Sequence, residues 1–165
     1  MIYRKAVFED AERWNDLVFE VKSEDLPTLF KMTTPITLQS TKDYLRNILE
    51  NDGSFVLIGI DNDKIIGSID LIRKKRLEEH HVAEIGMCIK KEYRNKGIGK
   101  EMFRRVFEIC QSEKKIEKIE LDVFSNNTAG IKLYEKMGFV FEGKRRNSIV
   151  KGNEKIDLIM MGKEI

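Results

Sequence analysis

The stretch YRNKGIGKEMF, Tyr93 to Phe103, constrains the fold more than any other part of the chain. It is a glycine turn between an apolar strand pattern, VAEIGMCI, and an amphipathic helical pattern in which Ile98, Met102, Val106, Ile109 and Cys110 recur at core spacing. A strand feeding a helix this directly implies helices packed on a sheet. The first N–H groups of such a helix have no intrahelical partner, and here the cations Arg94, Lys96 and Lys100 surround them. Gly97 and Gly99 carry no Cβ to keep an anion away from the backbone. The turn reads as an anion site.

The rest of the chain supplies the sheet. MIYRKAV predicts a short strand, followed by a helix near Asp10 to Val21 with Ala11, Trp14, Leu17 and Val18 on one side. After an irregular segment holding both prolines, a second helix is predicted from Thr41 to Glu50. SFVLIGI, the turn DNDK and IIGSIDLIR read as a hairpin. IEKIELDVF predicts a strand and NNTAGIKLYEKM a helix, with asparagine at its start and Gly138 past its end. FVFEGKRRNSIV and KIDLIMMG close as a hairpin around Lys151 to Asn153. The fold class is α/β (α+β): a mixed, largely antiparallel sheet of about six to seven strands flanked by about four helices.

A chain of 165 residues with no low-complexity linker reads as a single domain, residues 1–165. A net charge of +2 argues for neither a nucleic-acid nor a membrane partner. RKKR, Arg73 to Arg76, has no interleaved aromatics and is followed by Glu78 and Glu79, so it reads as a solvated turn. Cys88 and Cys110 form neither a disulfide framework nor a metal site. With no signal-like or membrane-spanning run, the expected setting is the cytoplasm.

Three anion readings compete for the glycine turn. A nucleotide P-loop puts Arg94 where its first glycine belongs and Glu101 where its Ser/Thr belongs, and fails. A dinucleotide fingerprint puts Met102 at its third glycine and is poor. A pyrophosphate held on the helix start needs only strand, glycine turn and helix.

Arg94-x-x-Gly97-x-Gly99 in that setting resembles the acetyl-CoA pyrophosphate motif, [QR]-x-x-G-x-[GA], of the GNAT superfamily of N-acetyltransferases. VFSNNTAGIKLYEKMGF resembles that superfamily's later block. The second half of the chain is similar to bacterial enzymes that acetylate free L-amino acids, and more loosely to those acting on ribosomal-protein N-termini or polyamines. The first half matches in element order alone.

The resemblance implies a GNAT fold, acetyl-CoA as cosubstrate, no metal, and direct transfer to a primary amine of a small molecule, an amino acid first. It implies cofactor contacts from the backbone of Met87, Cys88 and Ile89, from the turn Arg94, Asn95, Lys96, Gly97, Ile98, Gly99 and Lys100, and from Asn127 and Tyr134. Gly86 interrupts its strand, where glycine often marks a bulge; the family reading uses that bulge to splay the strand from its neighbour. Tyr134 is implied as the proton donor to the departing thiolate, and Glu84 as the base acting through water, with His80 and His81 as alternatives. Cys88 reads as a buried small hydrophobe rather than a nucleophile. Glu20, Glu24 and Asp25 are candidates for the wall of an amine pocket, and Arg145 and Arg146 for an amino-acid carboxylate. A homodimer through the C-terminal strands fits the superfamily. Rival readings are a protein N-terminal or polyamine acetyltransferase and a non-catalytic acyl-CoA sensor.

Overall fold

The computed structural model describes residues 1–24, 26–27 and 36–165. Its sheet runs β1 (Ile2–Lys5), β2 (Phe55–Asp61), β3 (Lys64–Arg73), β4 (Val82–Ile89), β5 (Lys118–Phe124), β6 (Val140–Lys151) and β7 (Glu154–Glu164). The spatial order is β1-β2-β3-β4-β5-β7-β6, seven strands in one sheet. Every neighbouring pair is antiparallel except β4 with β5. The helices are α1 (Ala11–Ser23), α2 (Leu38–Leu49), α3 (Ile98–Glu113) and α4 (Thr128–Lys136). The expected class and element order hold.

Local chemistry sets the element ends. Asn62 and Asp63, at φ 47° and 60°, form the left-handed pair that a two-residue hairpin needs between β2 and β3. α2 begins three residues before the predicted Thr41 because Thr37 caps it. The Thr37 hydroxyl accepts from Ser40 N–H at 3.1 Å, and Ser40 Oγ accepts from Thr37 N–H at 2.9 Å.

Each face of the sheet buries its own cluster. Trp14, Leu17 and Val18 of α1 and Leu45 and Ile48 of α2 pack on Val56, Ile58 and Ile65. On the opposite face Met102, Phe103 and Val106 of α3 pack on Ile69, Leu71, Ile85, Leu121 and Val123. Ile109, predicted for that seam, is only partly buried.

The two halves of the sheet meet at β4 and β5 over a short distance. Pairing is limited to Val82 with Lys118, Ala83 with Ile119 and Glu84 with Glu120. Beyond Glu84 the strands part, as the resemblance implied, but not through a bulge at Gly86. β4 keeps an unbroken register with β3 from Arg73–Ala83 to Gly67–Ile89. The glycine has a different reason: a Cβ there would lie 2.7 Å from Asp70 Oδ1. The gap opens because β4 follows β3 while β5 follows β7 from Lys118–Glu164 to Phe124–Leu158.

Asp10 ties β1 to the start of α1. Its fully buried carboxylate accepts from both terminal nitrogens of Arg4 at 2.6 and 2.8 Å, from Arg13 at 2.6 Å and from Val7 N–H at 2.9 Å. The Arg4 hydrogen bonds, above all, hold its pKa down to about 2 against an ordinary 3.8. A carboxylate depressed in the folded state adds stability above its unfolded pKa, and that stability is lost as pH falls from about 4 to about 2. Asp10→Asn should cost about 2 kcal/mol at pH 7, and the loss relative to wild type should vanish near pH 2. Denaturant unfolding at both pH values checks this; a pH-independent difference would contradict it.

Candidate active site

The hydrogen-bonding direction of β4 decides what the gap can hold. Lys74 N–H donates to Val82 O and Lys90 N–H to Ile66 O, both at 2.9 Å, so even-numbered residues of this stretch bond to β3. His81 O accepts from Glu117 N–H at 2.8 Å and Lys118 N–H at 3.1 Å, so odd-numbered residues face β5. Past Glu84, the main chain of Ile85, Met87 and Ile89 therefore turns toward a space where no strand answers it. Ile89 O is met by Arg94 Nε at 2.8 Å. By the same alternation the main chain of Cys88 belongs to the ladder with β3, opposite Ser68.

A cavity of about 590 Å³ occupies the gap and passes through the plane of the sheet. Ile85, Met87, Leu121, Val123, Asn127 and Tyr134 line it toward α3 and α4. Strand alternation puts Glu84, Glu120 and Asp122 on the face of α1 and α2, where Pro27 and Arg145 complete the wall. Arg145, a candidate carboxylate partner, pairs with Asp122 at 3.0 Å. Arg146, His80 and His81 do not line the cavity. A ring nitrogen of His80 lies 2.9 Å from Lys75 O.

The glycine turn stands beside this opening. Asn95 and Gly97 adopt φ of 59° and 79°, and no side chain caps the start of α3 at Gly97. The N–H groups of Ile98, Gly99 and Lys100 are left for an external acceptor. A Cβ on Gly97 would meet nothing within 4 Å, so this face is open. Gly99 is different from expectation: it is buried, and a Cβ would lie 3.1 Å from Leu133 Cδ2 and 3.3 Å from Ile89 Cδ1. Its smallness serves the packing of α3 between β4 and α4. The Ile98 side chain is also in the core, leaving only its backbone to the turn. Asn95, Lys96 and Lys100 are exposed, and Lys96 Nζ sits 5.7 Å from the centre of the Tyr93 ring.

Arg94 does not direct its charge into the turn. Its guanidinium forks onto Glu24 at 2.7 and 2.8 Å and holds that carboxyl below its ordinary range. Lys90 pairs with Glu20 at 2.5 Å. Glu20 and Glu24 are thus neutralised anchors between α1 and the turn, not an acidic wall for an amine. Asp25 lies outside the described residues.

Asn127 caps α4 by accepting from Gly130 N–H at 2.9 Å, and still lines the cavity. That helix carries Tyr134, whose ring stands edge-on to Phe103 at 5.9 Å and Phe139 at 6.0 Å. Burial, with a contribution from the Asp70 charge, pushes its hydroxyl up to about 12. Tyr134 therefore keeps its proton at neutral pH. Burial also pushes the Cys88 thiol up to about 12, and its sulfur sits 3.3 Å from Ser68 Oγ. A protonated thiol is no nucleophile.

Asp70 and Tyr44 escaped the sequence reading. Tyr44 Oη donates to Asp70 Oδ2 at 3.0 Å, beside Gly86. The available signal was a carboxylate inside the apolar strand IIGSIDLIR. Among the described residues no cluster of His, Cys, Asp and Glu is arranged for a metal ion, and no helix is long and apolar enough to cross a membrane.

This geometry has relatives. The chain is 25% identical over 137 residues to the L-amino acid N-acetyltransferase AaaT of Escherichia coli (strain K12), covering 83% of this chain and 85% of the relative. An acetyltransferase of GNAT family from Streptococcus pneumoniae superposes with a TM-score of 0.90 at 26% identity, over 99% of each chain. A phosphinothricin acetyltransferase from Sinorhizobium meliloti, solved in complex with AcCoA, has the same fold at 18% identity and a TM-score of 0.87, over 99% of this chain and 88% of that one. The family pattern described as Acetyltransferase (GNAT) family matches residues 15–139, a span that contains the parted strands, the glycine turn and Tyr134, and the chain belongs to that family.

Proposed function

We propose that this protein is an acetyl-CoA-dependent N-acetyltransferase that moves an acetyl group directly onto a primary amine of a small molecule, with an amino acid the first choice. The observation that carries this reading is the cavity through the sheet, with a protonated phenol toward one face and carboxylates toward the other. AaaT, named for L-amino acids, and the Sinorhizobium meliloti structure with AcCoA support it. When bound, acetyl-CoA supplies an activated acetyl group with a thiolate leaving group.

This chain's residues divide the remaining work. The open N–H groups at the start of α3 hold a pyrophosphate, and Met87 extends its free backbone edge to an arm lying in the gap. In this reading its N–H polarises the thioester carbonyl. An alkylammonium with pKa near ~10 must lose a proton before it can attack. Glu84, at the acceptor-side wall, takes that proton through water. Tyr134 donates to the thiolate. A phenol near 12 is a weaker acid than a free thiol at about 8.5, so its donation stabilises the departing thiolate through a hydrogen bond.

Thiol release from acetyl-CoA over L-amino acids, polyamines, aminoglycosides and short peptides tests the reading. Release with an L-amino acid is expected. None with any amine would leave a non-catalytic acyl-CoA sensor.

Gly97→Val should weaken acetyl-CoA binding about tenfold or more, because a side chain at φ 79° strains the turn and projects over the helix start. Gly152→Val, at φ 59° in the β6–β7 turn, is the control and should leave affinity unchanged. Calorimetric titration of both variants decides; equal affinities would remove the turn from cofactor binding.

Tyr134→Phe keeps the ring contacts and should lower kcat roughly 10²-fold with acetyl-CoA affinity nearly unchanged. Steady-state rates and melting curves on the same variant separate this from a packing role, which would lower Tm and spare kcat.

Glu84→Gln should reduce kcat/KM most at low pH and recover as the acceptor deprotonates in solution. A pH–rate profile parallel to wild type would remove Glu84 as the base.

A further inference from the structure

Behind the acceptor side of the gap stands a carboxylate that the steps above leave unused. Asp70 stands opposite Gly86 in the β3–β4 ladder, half-buried between Ile69 and Leu71, which are both fully buried. Its Oδ1 overhangs Gly86, 2.7 Å from where a Cβ would be, and Gly86 lines the cavity. Asp70 itself stands behind the cavity lining, and with no side chain on Gly86 only that residue's backbone separates it from the gap.

Its surroundings hold it in place without neutralising it. Tyr44 Oη donates to Oδ2 at 3.0 Å. The Tyr44 ring stacks on Trp14 at 6.0 Å, and Trp14 Nε1 donates to Ser68 Oγ at 2.9 Å, two residues before Asp70 on the same strand. Among the described residues no cation pairs with Asp70; Arg94 is taken by Glu24 and Lys74 by Glu79 and Glu120. A half-buried carboxylate with one neutral donor and no cation paired to it among the described residues leaves an acceptor for a cationic ligand. The Asp70 charge helps push up the Tyr134 hydroxyl, and Tyr134 lines the same cavity as Gly86.

We infer that Asp70, aimed by Tyr44 and uncovered by Gly86, binds the ammonium of the acceptor and selects amines that arrive protonated. The inference rests on the acetyl-transfer reading of the cavity and adds the group that recognises the acceptor. An ammonium offers three N–H bonds: one can rest on Asp70 while another faces the water at Glu84, which shares this face of β4 with Gly86. Loss of the second proton then frees the lone pair while the first still orients the nitrogen. An uncharged alcohol of equal length would gain nothing from Asp70.

The test uses n-butylammonium chloride and, as the uncharged control, n-butanol, each titrated by NMR into the full-length protein with coenzyme A present. Wild type should bind butylammonium more tightly than butanol. Asp70→Asn keeps the acceptor for Tyr44, and should weaken butylammonium at least fivefold while leaving butanol unchanged. Tyr44→Phe keeps the charge but frees its orientation, and should weaken butylammonium about threefold, again without affecting butanol. Equal binding of both probes to wild type, a loss below fivefold in Asp70→Asn, or parallel losses for both probes would overturn the inference. Should Asp70→Asn not fold, an unchanged butylammonium affinity in Tyr44→Phe would overturn it. Thiol release with a panel amine but no dependence on Asp70 would sink this inference alone. Asp70-dependent butylammonium binding without thiol release would keep the ammonium site and sink the transferase reading.

Discussion

The site depends on one constraint: β4 and β5 can pair for only three residues before each must follow a different partner. β4 is fastened to β3 along its whole length, and β5 to β7. Each strand keeps one full ladder, so the unpaired edges face each other across a wedge rather than water. Parallel pairing puts corresponding ends together, and the wedge opens at the end where β4 runs into the glycine turn. An extended ligand entering there finds a backbone edge on one side and helix N–H groups at the mouth.

Electrostatics fastens the mouth. Arg94 and Lys90 join the turn and the end of β4 to Glu24 and Glu20 at the end of α1. The cations that looked available for an anion, and the anions that looked available for an amine, neutralise one another in part. The two faces differ: uncapped N–H groups and a protonated phenol stand toward α3 and α4, and toward α1 and α2 stands a wall of carboxylates in which Glu120 pairs with Lys74 and Asp122 with Arg145. Family membership fits that division, since an acyl donor and the group that receives the acetyl call for different surroundings.

Much of this was legible in the chain. The strand–turn–helix at Tyr93 to Phe103 and the Asn127 cap are local features, set by glycine conformations, side-chain capping and periodicity within a few residues. Gly86, Gly99 and Arg94 were legible as special positions but not in their reasons. A glycine signals that a Cβ is unwelcome, without saying whether ligand, helix or carboxylate occupies the space. At Gly86 it is Asp70, and at Gly99 it is Leu133 and Ile89.

The sequence by itself determined the elements and their order, because periodicity, caps and turn residues act over short spans of chain, and two motifs carried the resemblance to the family. Only the tertiary structure decided which charges are spent and which remain. Glu24 and Arg94 lie 70 residues apart, and Tyr44 and Asp70 lie 26 apart, so nothing in either neighbourhood announces the pairing. A carboxylate's role follows from its burial and from the cations within a few ångströms, and those are properties of the folded sheet and its helices, not of any stretch of sequence.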